Sequence, residues 1–165
     1  MKLEPAYIAL GSNLRNPAVQ VRSGLEELAM LPDTRLARVS SLYQSAPVGY
    51  LDQPDYMNAV AQIETALAPR ALLDELLGIE RRYGRVRDFP NAPRTLDLDI
   101  VLYGDNVVQE PGLTIPHPRM HERAFVLVPL AEIAPDLVVP GRGRVSELVT
   151  RIDTAGLTRT ESPEE

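Results

Sequence analysis

The chain has 165 residues, of which 44% are hydrophobic and 24% charged, a balance typical of one globular domain with a sizeable core. Its net charge of −6 argues against a general nucleic-acid-binding protein, and the absence of cysteine excludes disulfides, thiolate metal sites and cysteine nucleophiles. The first residues lack the apolar core of a signal peptide, and no apolar run approaches the ~18 residues of a membrane span. We therefore expect a cytoplasmic protein with no membrane and no nucleic-acid partner.

The first residues predict a strand followed by a helix. Residues 6–12 (AYIALGS) form a short apolar run that ends at small and polar residues, which predicts a buried strand. A helix is expected next, because Asn16 can act as its N-cap, Pro17 suits its first turn and Pro32 ends it.

The middle of the chain predicts two more strands, a second helix and a further strand. Alternating residues favour strands over 34–45 and 57–65, and the leucine-rich stretch 69–84 has the spacing of an amphipathic helix with Gly84 as its C-terminal stop. The stretch 93–104 (PRTLDLDIVLYG) predicts the next strand. The resulting order, βαββαβ, is the ferredoxin-like α+β plan, an antiparallel sheet with two helices on one face.

The C-terminal part of the chain predicts only short elements. We expect short strands and helical turns at 107–109 (VVQ), 113–116 (LTIP), 118–125 (PRMHERAF), 137–140 (LVVP) and 146–152. Residues 155–165 are polar and acidic, which favours a disordered tail. The sequence therefore predicts a single domain over residues 1–154.

Two acids, Asp97 and Asp99, lie in the otherwise apolar strand 93–104. Residues i and i+2 of a strand share a face and lie ~6.6 Å apart at their Cα atoms, so we expect both carboxylates on one face. The alternation predicts that Val101 and Tyr103 share that face, and that the opposite face holds Leu96, Leu98, Ile100 and Leu102. Mg²⁺ prefers carboxylate and phosphate oxygens, and such a pair could share two ions. A polar face paired with arginines is the alternative interpretation.

The segment before this strand concentrates positive charge in an acidic chain. Against the single acid Asp88, it holds five arginines: Arg81, Arg82, Arg85, Arg87 and Arg94. Arginine binds phosphate oxygens in bidentate fashion and, with a metal ion, neutralises a phosphate chain during phosphoryl transfer. The dipole of the preceding helix explains the first two arginines but not the last three. The P-loop, Rossmann and protein-kinase motifs are absent from the sequence.

Two connections are longer than the usual ~4–6 residues, namely 45–56 and 84–94. Both flank the strand that carries the acid pair. Loops of this length often act as lids or binding loops, so we expect both to close over a ligand.

Five motifs between residues 6 and 140 occur in the order found in one enzyme family. They are YIALGSNL (7–14), DQPDYMNAV (52–60), GRVR (84–87), PRTLDLDIVLYG (93–104) and IPHPRMHERAFVLVPLAEIAP (115–135). In these motifs the chain resembles the 6-hydroxymethyl-7,8-dihydropterin pyrophosphokinases of folate synthesis. The resemblance implies a ferredoxin-like fold and transfer of the β,γ-pyrophosphoryl group of ATP to the hydroxymethyl oxygen of the pterin, with release of AMP. It also implies two Mg²⁺ ions and ATP as co-substrate.

The resemblance further implies roles for individual residues. Asp97 and Asp99 match the magnesium ligands, and the catalytic set adds Arg85 and Arg87. The positions that match nucleotide contacts are Arg85, Arg87, Arg94, Ile100, Thr114, His117 and Arg123. The positions that match pterin contacts are Ser45, Val48, Tyr56, Asn58, Asp97 and Phe125. Within these sets Tyr56 and Phe125 match two sandwiching rings, Asn58 matches the side chain that contacts the pterin edge, and Glu80 matches an acid near the active site.

The residues alone leave two other functions open. A ferredoxin-like module could bind a small molecule without catalysis, and its ATP binding would then not depend on Mg²⁺. Another two-metal enzyme, such as a nucleotidyl transferase or a cyclase, would release pyrophosphate from ATP. Core packing is the alternative interpretation of Tyr56 and Phe125. We expect the pyrophosphokinase, acting as a monomer on two small-molecule substrates.

Overall fold

The structure, a computed structural model, describes residues 2–14, 16–46, 54–84 and 95–161, apart from the side chain of Glu161. The strands are β1 (Glu4–Ser12), β2 (Thr34–Val39), β3 (Leu42–Ser45), β4 (Tyr56–Thr65), β5 (Asp97–Tyr103), β6 (Val108–Glu110), β7 (Leu113–Ile115), β8 (Val138–Val139), β9 (Gly143–Arg144) and β10 (Leu157–Glu161). The helices are α1 (Pro17–Ala29), α2 (Pro69–Arg82), α3 (Ala124–Ile133) and α4 (Val145–Leu148), with 3₁₀ turns at Met120–Glu122 and Val149–Arg151. None of the helices in these ranges is long and apolar enough to span a membrane.

An antiparallel sheet organises the described elements. Its strands run in the order β10-β3-β4-β1-β5, and β2 also pairs with β4. The shorter pairs β6-β7 and β8-β9 lie outside this sheet. The predicted βαββαβ order and the ferredoxin-like α+β class are confirmed.

Both faces of the sheet are covered by apolar residues. The face that packs against α1 and α2 contributes Ile8, Leu10, Ala59, Ala61 and Ile63, all buried. The other face is covered by α3, whose Val126, Leu127 and Leu130 pack with Tyr7 and Val60 of the sheet. The sequence predicted helices on one face only and did not predict α3. Its ten residues, AFVLVPLAEI, are apolar on every side and contain Pro129, so they lack the periodicity and the breaker-free interior that indicate a helix.

The predicted strand 34–45 is two strands, because Ser40 and Ser41 interrupt it. The backbone N–H of Ser40 donates to the carbonyl of Val60 at 2.9 Å, and the Ser40 hydroxyl accepts from the N–H of Val60 at 2.9 Å. A side chain thus replaces one backbone acceptor of the ladder, and the chain kinks while both β2 and β3 stay paired with β4.

The predicted start of α1 and the glycine stop of α2 are confirmed in position, whereas α1 ends at Ala29, before the expected stop at Pro32. Asn16 precedes α1, yet it has a left-handed backbone (φ 61°) and its side chain makes no capping bond. Gly84 follows the C-cap of α2 with φ 76°, and its N–H donates to the carbonyl of Arg81, as expected of a glycine stop.

A bulge in β5 changes which side chains share a face. Ile100 lies opposite Ile8 and Leu102 lies opposite Tyr7, so Val101 is one residue too many for the ladder. Beyond it the alternation is reversed. Leu102 packs on the face covered by α3, while Tyr103 packs on the face covered by α1 and α2, where its hydroxyl donates to the carbonyl of Leu67 at 2.6 Å. The predicted faces of Leu102 and Tyr103 are therefore wrong.

The C-terminal residues contradict the expected tail over part of its length. Within 155–165, residues Leu157–Glu161 form β10, which pairs with β3 so that Leu157 lies opposite Ser45 and Arg159 opposite Tyr43. An edge strand exposed to solvent can carry the polar composition of a tail, and that composition misled the prediction. Residues 162–165 lie outside the described residues.

Two glycines in helices offer a matched test of the packing. A Cβ added at Gly24 of α1 would lie 3.0 Å from Leu10 Cδ2 and 3.2 Å from Leu96 Cδ1, both in the core, whereas one at Gly78 of α2 meets nothing closer than 3.7 Å. We expect Gly24→Ala to lower the free energy of unfolding by about 1 kcal/mol and Gly78→Ala to raise it by about 0.5–1 kcal/mol. Urea denaturation measures both, and a stabilising Gly24→Ala would contradict the close approach of α1 to the sheet.

Candidate active site

A cavity of about 310 Å³ opens on the sheet face that carries Asp97 and Asp99. Its walls come from β1, β3, β4, β5 and the segment around the start of α3. Eight of the residues singled out from the sequence line it: Ser45, Tyr56, Asn58, Asp97, Asp99, His117, Arg123 and Phe125. Residues more than 70 positions apart in the sequence therefore meet around one space.

The other predicted site residues lie elsewhere. Ile100 is buried on the opposite sheet face, among the side chains that pack against α1 and α2, and Thr114 is exposed on β7. Neither lines this cavity. The remaining residues, Val48, Arg85, Arg87 and Arg94, lie outside the described residues, as does most of each predicted lid, 45–56 and 84–94.

Small residues on β1 make room for the acid pair. Asp97 lies opposite Gly11 and Asp99 opposite Ala9, so the β1 residues beside the two acids are small. A Cβ at Gly11 would come within 3.2 Å of the Asn58 amide nitrogen, so the glycine also lets the amide approach the strand. Among the described residues no cluster of three or more histidines and acids forms a metal cage. The pair suits an ion that completes its coordination with substrate oxygens and water, as Mg²⁺ does.

Glu80 fixes the backbone between the two acids. Its carboxylate, 2% exposed, accepts a hydrogen bond from the N–H of Leu98 at 2.7 Å. Because β5 is an edge strand among the described strands, its outer N–H groups face no strand there, and the carboxylate of Glu80 on α2 accepts from one of them. The family resemblance pointed to Glu80, and the structure supplies a physical role for it: α2 holds the strand that presents both carboxylates.

His117 is held by backbone bonds on two sides. Its N–H donates to the carbonyl of Val101 at 2.9 Å, and its ring Nδ1 accepts from the N–H of Arg119 at 3.1 Å. The proton of the neutral ring therefore lies on Nε2. Burial lowers the pKa of His117 to about 4, the positive charges of Arg123 and Arg119 act in the same sense, and Asp97 opposes them. Near neutral pH the ring is an uncharged hydrogen-bond donor.

Two rings and an amide line another part of the cavity. The hydroxyl of Ser45 donates to Oδ1 of Asn58 at 2.6 Å, and both side chains are buried. This bond occupies the amide oxygen and fixes the orientation of the amide, so the amide nitrogen is the group left to donate to a ligand. The guanidinium of Arg123 lies 5.5 Å from the centre of the Phe125 ring, a cation–π contact, and Tyr56 lies opposite Ser45 on β4. Together these groups suit a flat heteroaromatic ligand with a polar edge.

Sequence reasoning missed five contributors to this region. Ala9 and Gly11 provide space, and the bulge at Val101 provides the acceptor for His117. Residues Gly156 and Leu157, expected in a tail, line a second cavity of about 330 Å³ that shares Ser45, Ala46, Arg123 and Phe125 with the first. Gly11 was visible inside the motif YIALGSNL, but the bulge and the C-terminal strand left no local sequence signal.

The lowered pKa of His117 gives a titration that can be followed directly. In the protein without added ligand, we expect long-range ¹H–¹⁵N correlation spectra to show a neutral Nε2–H ring that takes up its proton near pH 4. Because the unfolded chain binds this proton near pH 6.5, the folded state loses stability as pH falls from about 6.5 to about 4. His117→Gln assigns the signal, and a midpoint near 6.5 or an Nδ1–H ring would contradict the assignment.

Comparisons with known proteins identify the family. A family model described as 7,8-dihydro-6-hydroxymethylpterin-pyrophosphokinase (HPPK) matches residues 7–135. A 2-amino-4-hydroxy-6-hydroxymethyldihydropteridine pyrophosphokinase of Haemophilus influenzae is 56% identical over 144 residues, which cover 87% of this chain and 90% of that protein. One of the same name from Pseudomonas aeruginosa is 48% identical over 157 residues, which cover 95% and 97%.

A solved structure supports the fold. A crystal structure of Plasmodium falciparum HPPK-DHPS with pterin and p-hydrobenzoate superposes with a TM-score of 0.70 at 15% identity, covering 91% of this chain. The chain spans 44% of the length of that protein, and the likeness concerns the fold alone. The chain belongs to the 7,8-dihydro-6-hydroxymethylpterin-pyrophosphokinase family.

Proposed function

We propose that this pyrophosphokinase performs its reaction in the cavity that Asp97 and Asp99 line, with Mg²⁺ as the metal. The reaction transfers pyrophosphate from ATP to the hydroxymethyl group of 6-hydroxymethyl-7,8-dihydropterin, giving AMP and the pterin diphosphate in folate synthesis. Family membership decides against the non-catalytic module and against another nucleotidyl-transfer enzyme. The observation that carries the assignment is that one cavity is lined by a carboxylate pair, a neutral histidine, an arginine and two aromatic rings, those of Tyr56 and Phe125.

On the nucleotide side, the chain supplies positive and neutral donors for phosphate oxygens. The Nε2–H of His117 can donate to a phosphate without adding a charge, and Arg123, whose charge acts on His117, adds a guanidinium. We extend this set, by the family motifs, to Arg85, Arg87 and Arg94 for the phosphates, and to Ile100 and Thr114 for the nucleoside. Two Mg²⁺ ions, when bound, would supply the charge neutralisation that phosphoryl transfer needs.

On the pterin side, the ring stacks between Tyr56 and Phe125, while Asn58 contacts its polar edge. The hydroxyl of Ser45 holds that amide in one orientation, so the site presents a fixed donor instead of a rotating one. Val48 is a further contact that the motifs imply. In this pose the hydroxymethyl oxygen faces the acid pair, attacks the β-phosphorus and breaks the bond between that phosphorus and the oxygen that leaves with AMP. The hydroxyl proton passes to solvent.

We also propose that the protein works as a cytoplasmic monomer. A chain without cysteine suits a reducing compartment. The exposed large apolar side chains of the described residues come from different parts of the chain: Leu3, Val19, Met30, Val107 and Val138. Single exposed apolar residues of this kind do not require a partner.

Replacing the acids tests the metal assignment. We expect Asp97→Asn and Asp99→Asn each to lower kcat by at least about 10²-fold at saturating substrates, because each removes a ligand charge where phosphate charge is neutralised. Steady-state turnover is measured across a Mg²⁺ titration, and chelation with EDTA is expected to abolish wild-type turnover until Mg²⁺ is restored.

The control is Asp74→Asn, which removes an exposed acid of α2 outside the cavity and is expected to keep wild-type kcat. Wild-type turnover of both cavity variants at saturating Mg²⁺ would contradict the metal assignment, and undiminished wild-type turnover in EDTA would contradict the need for a metal.

A further inference from the structure

We infer that Glu132 is a positioning residue for the pterin side of the cavity, which it does not line. The inference rests on the proposed function, specifically on Ser45 and Phe125 as pterin contacts. Glu132 lies on α3, whose start carries Phe125, and it bonds to the residues that lead into Ser45 on β3. By holding α3 against β3, its carboxylate sets the distance between Phe125 and Ser45, which we call the width of the pterin slot.

The carboxylate of Glu132 receives hydrogen bonds from three donors and pairs with a cation. Oε1 accepts from the N–H of Ser41 at 2.9 Å and from the hydroxyl of Tyr43 at 2.7 Å, and Oε2 accepts from the hydroxyl of Ser41 at 2.7 Å. Arg159 of β10 lies 3.7 Å from Oε2. One side chain therefore joins α3, β3 and β10.

The environment keeps this carboxylate charged. Glu132 is the charged residue of an otherwise apolar helix, and its side chain is 24% exposed. Burial alone would raise the pKa of Glu132, but the hydrogen bonds from Tyr43 and Ser41 and the charge of Arg159 outweigh it and lower the pKa. A charge held by matched donors fixes geometry more tightly than an apolar contact of the same size, because its bonds are directional.

The spacing of residues along α3 and β3 shows how a carboxylate outside the cavity can affect the pterin slot. Phe125 and Glu132 are seven residues apart, so they lie on one side of α3, about 10.5 Å apart along its axis. Ser41 and Ser45 are four residues apart in extended chain, about 13 Å. Glu132 bonds to the Ser41 end of this strand, and Phe125 lines the cavity with Ser45 at the other end. The helix and the strand run side by side, fastened at the end away from the pterin.

A second contact holds the same end of the helix. The guanidinium of Arg38 on β2 donates to the carbonyl of Ile133 at 2.9 Å, at the last residue of α3. Glu132 and Arg38 thus fix the C-terminal end of α3. The position of Phe125, at the opposite end, then follows from the length and direction of the helix. Loss of Glu132 removes the bonds to β3 and leaves the bond to β2.

The test compares pterin and nucleotide affinity in graded variants. We expect Glu132→Ala to raise the Kd of 6-hydroxymethyl-7,8-dihydropterin about tenfold, measured by calorimetry with Mg²⁺ and a saturating non-hydrolysable ATP analogue. Glu132→Gln keeps an oxygen acceptor and is expected to lie between wild type and Glu132→Ala. The Kd of the ATP analogue itself is expected to change by less than about twofold in both.

Two further variants make the test specific. Glu64→Ala removes a carboxylate that pairs with Arg35 at 2.9 Å, eight residues along β4 from Tyr56, and is expected to leave both affinities unchanged. Tyr43→Phe removes one donor to Glu132. Its effect on the pterin Kd is expected to be smaller in the Glu132→Ala background, because both substitutions remove the same hydrogen bond. If Glu132→Ala fails to fold, Tyr43→Phe and Arg159→Gln must raise the pterin Kd for the inference to stand.

The outcomes separate this inference from the site assignment. Wild-type pterin Kd in folded Glu132→Ala, or an equal loss of pterin and nucleotide affinity, would overturn the positioning role. Asn58→Ala removes a proposed direct contact: a raised pterin Kd there, with none in Glu132→Ala, rejects the positioning role alone. An unchanged pterin Kd in Asn58→Ala would reject the pterin assignment of the cavity itself.

Discussion

The site depends on the pairing of β5 with β1 up to the bulge at Val101. The register sets Asp97 and Asp99 opposite Gly11 and Ala9, two small residues, on the face that lines the cavity. The bulge then frees a carbonyl that the N–H of the incoming His117 uses, so an irregularity of the ladder brings the histidine to the acids. A register slip of one residue would turn the acids into the hydrophobic core.

Helices on both sides of the sheet support this arrangement in different ways. On one side, α2 contributes the buried carboxylate of Glu80, which bonds to the N–H of Leu98 between the two acids. On the other side, α3 contributes Phe125 to the cavity and Glu132 to the contact with β3. The buried carboxylate of Glu80 and the partly exposed carboxylate of Glu132, each with matched donors, fix the metal side and the pterin side separately, so damage to one need not alter the other.

Sequence patterns predicted the sheet, α1, α2 and the shared face of Asp97 and Asp99, because alternation and helical spacing are local. They did not predict α3, since an apolar helix around Pro129 has no periodic signal, nor β10, since an edge strand can be as polar as a tail. The reversal of Leu102 and Tyr103 comes from the pairing of β5 with β1, and the sequence of β5 alone carries no information about that pairing. Tyr56, Asn58, His117 and Phe125 became candidates only through the family motifs, because aromatic, amide and imidazole side chains in isolation fit core packing equally well.

The central claim is that this one cavity transfers pyrophosphate at the β-phosphorus of ATP. The most direct measurement is ³¹P NMR of the products after the protein is incubated with Mg²⁺, ATP and 6-hydroxymethyl-7,8-dihydropterin. The account predicts AMP and the pterin diphosphate in equal amounts, formed only when the pterin is present, with no free pyrophosphate. Formation of ADP, or of AMP with free pyrophosphate, would contradict it.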